Sequence, residues 1–206
     1  MHSSFAQNDV LLFDYDGVLA DTEPLHWAAW QKMLAPFGID LTWEQYSEHC
    51  RGVADVKMRG ILENLFGPKV YLPDLAPHLG ARRRQVCEWS QFESPIPAET
   101  IGMLRKLANR RLGLVTSAER EDIEPVLRSA NIQNCFEVCI FGGDVERHKP
   151  APDPYLKIAS RMRTFAGPAF EDSDSGMISA REAGFRAVRI SHPADLPKVV
   201  AKFIEG

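Results

Sequence analysis

A strand-like apolar run, Val10-Leu11-Leu12-Phe13, is followed from Asp21 to Phe92 by a stretch in which no second strand can be read. A buried strand needs partners, so those of the first strand must come from far along the chain. The intervening stretch reads as helical throughout. Pro24 suits a first helical turn, and Leu25, Ala29 and Met33 recur at four-residue spacing before Gly38 ends the run. Thr42-Trp43-Glu44-Gln45 has the pattern of a capping box and opens a second helix. Met58, Ile61, Leu62, Leu65 and Phe66 form a one-face stripe closed by Gly67-Pro68, and a fourth helix carries Val86 and Trp89.

Ser94-Pro95-Ile96-Pro97 reads as a stiff connector, because its prolines fix the backbone and stop a helix from running through. Beyond it, helical and strand patterns alternate. Ile101, Leu104 and Leu107 mark a helix, Leu112 to Val115 a strand, and Ile123, Val126 and Leu127 a helix. Val138 to Phe141 give another strand, Tyr155 to Met162 a helix, and Phe185 to Ile190 a later strand. Such alternation implies an α/β fold with a parallel sheet and right-handed crossovers. The expected division is a core of residues 1–20 and 95–206, with a helical unit of residues 21–94 inserted after the first strand.

Polar residues collect where the strands should end, the side of an α/β sheet on which ligands bind. Asp14-Tyr15-Asp16-Gly17 follows the first strand. Burying such carboxylates is costly unless a cation compensates them, and oxygen-only ligands suit Mg²⁺. The run therefore reads as a metal-assisted aspartate nucleophile or as an acidic turn. Thr116-Ser117 follows Val115 at the start of a helix, as an anion site or simply a cap. Gly142-Gly143-Asp144 with His148-Lys149-Pro150 follows a third strand, and Glu171-Asp172-Ser173-Asp174-Ser175-Gly176 follows Ala169-Phe170. Each alone has a bland alternative: a solvated lysine, or an acidic helix start favoured by the helix dipole. Together they supply an acid pair, a hydroxyl, a cation and a second acid pair at one rim.

At 206 residues the chain has room for one sizeable core with a smaller insertion, and its net charge of −4 gives no general attraction to nucleic acid or anionic membrane. A small charged substrate is expected, with no nucleic-acid or membrane partner. Cys50, Cys87, Cys135 and Cys139 show no metal-binding spacing and read as reduced core residues. Met1 to Asp9 lacks the basic start and apolar run of a secretory signal, so a cytoplasmic location is expected; a monomer is the expected state. Arg82-Arg83-Arg84 and Arg110-Arg111 read as solvated helix faces.

FDYDGVLADTEPLH, VTS, HKPAPDPY and FEDSDSG, in that order, resemble the motifs of the haloacid dehalogenase superfamily of phosphohydrolases. The resemblance spans nearly the whole chain and points to the branch of β-phosphoglucomutases and small sugar-phosphate phosphatases. It implies a Rossmann-like parallel sheet with an α-helical cap. It further implies Asp14 as the nucleophile that forms an aspartyl-phosphate, and Asp16 as general acid and base. Mg²⁺ would be held by the Asp14 carboxylate, the Asp16 main-chain carbonyl and Asp172, with Glu171 close by. Lys149 would neutralise charge, and Ser117 would hold phosphate oxygens. Thr22, Glu23, His26, Arg51 and Gly52 from the cap, with Ala118 and Arg120 beside Ser117, would contact substrate.

Two positions depart from the mutase pattern. In Arg51-Gly52-Val53-Ala54-Asp55 an acid stands where a cap arginine is expected, and in Arg120-Glu121 an acid replaces an amide. Both would repel a second phosphate. The expected function is hydrolysis of a small phosphorylated metabolite such as a sugar phosphate; the alternatives are a phosphosugar mutase and a non-catalytic phosphate-binding regulator. Pro168 is a further departure, since it cannot donate to a central ladder, and Asp172 is expected to be less firmly placed than Asp14.

Overall fold

The computed structural model describes residues 10–51, 53, 57–67, 74–92, 94–107 and 109–205. Two compact units divide the chain, Met1–Asp21 with Ser94–Gly206, and Thr22–Glu93.

The first unit holds a five-stranded parallel sheet: β1 (Val10–Phe13), β2 (Arg111–Val115), β3 (Val138–Ile140), β4 (Pro168–Glu171) and β5 (Arg186–Arg189), in the order β3-β2-β1-β4-β5. The outcome is the α/β class expected from the alternation. β1 lies at the centre, pairing Phe13 with Leu114 of β2 and with Phe170 of β4, which explains why its whole run is apolar. Its side chains alternate between the two faces. Leu11 and Phe13 join a cluster with Leu104, Ile123, Val126, Leu127, Leu196 and Val200. These come from α5 (Ala98–Lys106), α6 (Arg120–Ser129) and α9 (Leu196–Glu205). Val10 and Leu12 join Tyr155, Ile158, Met162 and Ala180, from α7 (Asp153–Met162) and α8 (Asp174–Glu182). With helices on both faces, the rim at the strand ends is left for polar groups.

β4 forms despite Pro168, because the proline takes the first position of the strand, where a missing N–H is tolerated. The strand runs on through Glu171 and is buried along its length, with Phe170 stacked on Phe13 at 5.1 Å between centroids. Asp172 therefore follows a well-seated strand, contrary to the weaker placement expected.

Arg111 is not a solvated face either. Its Nε and Nη2 donate to Glu137 Oε2 and Oε1 at 2.7 and 2.6 Å, and Nη2 also donates to the carbonyl of Met162 at 2.6 Å. The side chain thus ties β2 to the end of α7. Its hydrogen bond to Glu137 raises the Arg111 pKa and lowers that of Glu137. Arg111→Ala is expected to cost about 1 kcal/mol in urea unfolding at pH 7, since the pair is only half-buried. A depressed acid stabilises above its unfolded pKa and loses that contribution as pH falls through the folded value, so the difference should shrink below about pH 4.

The second unit is helical among its described residues: α1 (Glu23–Leu34), α2 (Trp43–His49), α3 (Met58–Phe66) and α4 (Ala76–Phe92). Pro24 lies in the first turn of α1, and Gly38, at φ 71°, closes the short 3₁₀ turn behind it. The capping box forms: Gln45 N donates to Thr42 Oγ1 at 3.3 Å, and Thr42 N donates to Gln45 Oε1 at 3.0 Å. Trp30, Leu34, Leu41, Tyr46, Met58 and Leu62 make the core. Arg82 departs from expectation, being only 6% exposed with its guanidinium 4.8 Å above the Trp30 ring. Stacking on an aromatic face lets the cation sit inside the unit. Of the cysteines, Cys50 is buried, whereas Cys87, Cys135 and Cys139 are half-buried rather than core. No described helix is long and apolar enough to cross a membrane.

Candidate active site

Asp14 leaves the end of β1 still in ladder geometry, its N–H donating to the carbonyl of Phe170 at 3.0 Å, and its side chain is buried. The chain then turns sharply. The Tyr15 carbonyl accepts from Leu19 and Ala20, both at 2.9 Å, and Gly17 N–H donates to the Ala20 carbonyl at 2.9 Å. Gly17 sits at φ 71°, and a Cβ there would lie 2.2 Å from Asp172 Oδ2. Only glycine lets this turn pass so close to the acid that follows β4.

Lys149 joins the strand ends. Its Nζ donates to Asp14 Oδ1 at 2.9 Å, Glu171 Oε1 at 2.6 Å and the Val115 carbonyl at 2.9 Å, which engages all three of its protons. The side chain is 5% exposed. Burial alone would lower its pKa, but the Asp14 and Glu171 charges outweigh burial and raise it, so the ammonium stays charged.

Glu171 is fully buried at the last position of β4, and Tyr155 Oη donates to its Oε1 at 2.6 Å. Burial, reinforced by Asp14, pushes the Glu171 pKa up against the hydrogen bonds from Lys149 and Tyr155. Asp172 is pushed up to about 6 by burial and by the charges of Asp14 and Asp16. Arg189, at the end of β5, donates to the Asp172 carbonyl and to the Asp174 carboxylate, holding this acidic turn from outside.

Asp14, Glu171 and Asp172 each offer a carboxylate oxygen within 4.8 Å of the others. One lysine faces these three acids, and Glu171 Oε2 is buried without a hydrogen-bond partner. Three carboxylates crowded at one buried rim, with Glu171 and Asp172 raised by burial and by the neighbouring charge of Asp14 and with one oxygen unsatisfied, form a donor set suited to a hard divalent cation. With no histidine or cysteine among them, the donors fit Mg²⁺ better than a softer transition metal.

A model of the haloacid dehalogenase-like hydrolases matches residues 11–190. The chain belongs to this family. A phosphorylated-carbohydrate phosphatase of Thermotoga maritima is 29% identical over 182 residues, covering 87% of this chain and 83% of its own. A fructose-1-phosphate phosphatase of Escherichia coli K12 is 29% identical over 184 residues, covering 87% and 95%. In fold, the chain superimposes on a β-phosphoglucomutase from Clostridium difficile with a TM-score of 0.68 at 19% identity, over 96% of this chain and 98% of that one.

Other residues named from the sequence of this haloacid dehalogenase-like hydrolase fall in varied surroundings. Thr116 and Ser117 do not begin a helix, because α6 starts later, at Arg120. Instead the buried Thr116 hydroxyl accepts from Ala118 N–H at 3.0 Å and closes a tight turn, leaving Ser117 exposed and Ala118 half-buried. Arg120 Nη1 donates to Glu124 at 2.8 Å, Nη2 donates to Asp144 at 3.3 Å, and the guanidinium stacks 4.3 Å above Phe141. Asp16 lies in the turn after β1, bridged to Ala20.

In the helical unit, Thr22 is buried at the start of α1 without making a side-chain cap there. Glu23 Oε2 accepts from Tyr46 Oη at 2.7 Å, and His26 Nδ1 lies 3.2 Å from Arg82 Nη1. Arg51 is exposed just beyond α2. Gly52 and Asp55 lie outside the described residues. The sequence reading missed Tyr155, which looks like an ordinary core position of α7; the signal was a hydroxyl at a site where phenylalanine would fill the same space.

Proposed function

We propose that this chain is a Mg²⁺-dependent phosphatase that hydrolyses a small phosphorylated metabolite through an aspartyl-phosphate on Asp14, with a sugar phosphate as the preferred class. The observation that carries this reading is Lys149, held between Asp14 and Glu171 inside the Asp14, Glu171 and Asp172 cluster. Hydrolytic relatives that act on phosphorylated sugars support the substrate class.

Lys149 takes Asp14 Oδ1 and fixes the orientation of that carboxylate. An Asp14 oxygen attacks phosphorus while the ester P–O bond breaks, and Asp16 passes a proton to the departing alkoxide. Water then attacks the aspartyl-phosphate as Asp16 takes its proton, which returns Asp14 as carboxylate and releases phosphate. Asp14, Asp172 and the Asp16 carbonyl would hold Mg²⁺, with Glu171 beside them. The ion offsets the repulsion between phosphate and carboxylate, several kcal/mol at roughly 4 Å and an effective dielectric of ~20. Exposed Ser117 and the N–H groups around it would bind phosphate oxygens. The helical unit would serve as the cap, with Thr22, Glu23, His26 and Arg51 as its candidate substrate contacts.

A panel of phosphorylated metabolites, assayed for free phosphate with Mg²⁺ and again with EDTA, tests the reading. Release from several sugar phosphates is expected with Mg²⁺ and without a bisphosphate activator, and chelation should abolish it. Conversion of β-glucose 1-phosphate to the 6-phosphate with negligible free phosphate would instead establish a mutase. Because Mg²⁺ needs ionised ligands and Asp172 is held up to about 6, Mg²⁺ affinity should weaken as pH falls through that value.

A further inference from the structure

We infer that Tyr155 is a positioning residue: its hydroxyl fixes the carboxylate plane of Glu171 and thereby sets the affinity of the Asp14, Glu171 and Asp172 cluster for a divalent cation. The inference rests on the metal-binding reading above and goes beyond it, since Tyr155 meets the cluster through its hydrogen bond to Glu171 Oε1.

Two donors converge on one oxygen of Glu171. Tyr155 Oη and Lys149 Nζ each lie 2.6 Å from Oε1, whereas Oε2 is buried and receives none. The carboxylate is therefore engaged asymmetrically, and a half-turn about its last bond would exchange a doubly bonded oxygen for an unbonded one. That exchange is strongly disfavoured while both donors are in place. Lys149 gives Oε1 one of its three protons, the others going to Asp14 and to the Val115 carbonyl, and Tyr155 supplies the second donor to that oxygen.

The other side of the carboxylate is defined just as closely. A Cβ on Gly176, in the first turn of α8, would lie 1.9 Å from Glu171 Oε2 and 2.5 Å from Oε1. Glycine there lets the helix backbone close over the carboxylate opposite the tyrosine. The Tyr155 ring is itself immobilised: it is fully buried, packs on Phe185 with centroids 5.9 Å apart, and lies 5.6 Å from Lys149 Nζ. The hydroxyl is thus delivered from a rigid helix at a fixed point. Partners that orient a ligand residue without touching the metal commonly control its affinity about tenfold or more.

Isothermal calorimetry of Mg²⁺ binding to the 206-residue chain tests this. Wild type should bind, Asp172→Asn should lose binding, and Tyr155→Phe should bind about tenfold more weakly. Phe185→Leu, which trims one packing contact of the ring but leaves the hydroxyl and the burial of α7 in place, should bind within about twofold of wild type. With Glu171→Gln as background, adding Tyr155→Phe should produce no further loss, because the hydroxyl acts through the Glu171 carboxylate. An unchanged affinity in Tyr155→Phe, or equal weakening in Tyr155→Phe and Phe185→Leu, would overturn the inference. Absence of Mg²⁺ binding to wild type would refute the metal reading itself, and the role of Tyr155 with it.

Discussion

Asp14→Asn is expected to lower phosphate release from a generic aryl phosphate by ~10⁴-fold or more, with the circular dichroism of the protein unchanged. The substitution keeps the shape of the side chain and its oxygen acceptor for Lys149, which donates at 2.9 Å, so the strand-end geometry survives. What it removes is the anionic oxygen that attacks phosphorus. It also removes charge that contributes to the raised pKa values of Glu171 and Asp172, so both should ionise more readily in the variant. An impaired enzyme with easier ionisation of its neighbours separates loss of the nucleophile from general disruption of the site. Pure variant protein that still turned over would refute the assignment of Asp14.

The fold was legible wherever one sequence pattern answered to one physical demand. Val10 to Phe13 is wholly apolar because β1 is the central strand, and the α3 stripe puts Met58 and Leu62 into the core of the helical unit. Thr42 and Gln45 satisfy one another within a single turn. Expectations failed where a residue's environment is made by distant chain. Arg82 looks solvated within a run of arginines, yet Trp30 supplies an aromatic face that buries it. Arg111 finds its carboxylate on the segment before β3 and its carbonyl at the end of α7. α9 carries Leu196, Val200 and Phe203 at helical spacing but follows the last strand, so no further strand marks it as a crossover helix.

The same distinction holds at the site. Asp14, Lys149, Glu171 and Asp172 could be singled out because charged residues beside apolar strand runs are conspicuous, and the structure brings them together. Tyr155, Gly17 and Gly176 stand in the same motifs but carry no charge to mark a role. Their importance lies in a hydroxyl reaching one carboxylate oxygen and in missing Cβ atoms that let backbone approach an acid. No local pattern encodes such contacts.

Lys149→Met should lower stability by about 3–5 kcal/mol near pH 8.5 and reduce turnover by ~10³-fold. Methionine occupies similar space but donates no hydrogen bond, so the Val115 carbonyl, Asp14 Oδ1 and Glu171 Oε1 all lose a donor. Glu171 keeps Tyr155, yet Asp14, Glu171 and Asp172 no longer have the lysine charge beside them. The lysine charge opposes the rise in the pKa values of Glu171 and Asp172, so both should rise further in the variant. An acid whose folded pKa exceeds its unfolded one favours the native state as it takes up a proton; that stability is gained as pH falls and lost as pH rises through the folded value. The deficit should therefore be largest in alkaline solution and shrink as pH is lowered toward 5.5. Urea unfolding of both proteins at pH 8.5 and 5.5 measures it. An equal deficit at the two pH values would mean that Lys149 supports the fold by packing rather than by charge. Mg²⁺ provides an independent check, because a cation on the same acids replaces part of the missing positive charge. Saturating Mg²⁺ should thus stabilise Lys149→Met without restoring turnover, since the hydrogen bond that orients Asp14 for attack remains absent.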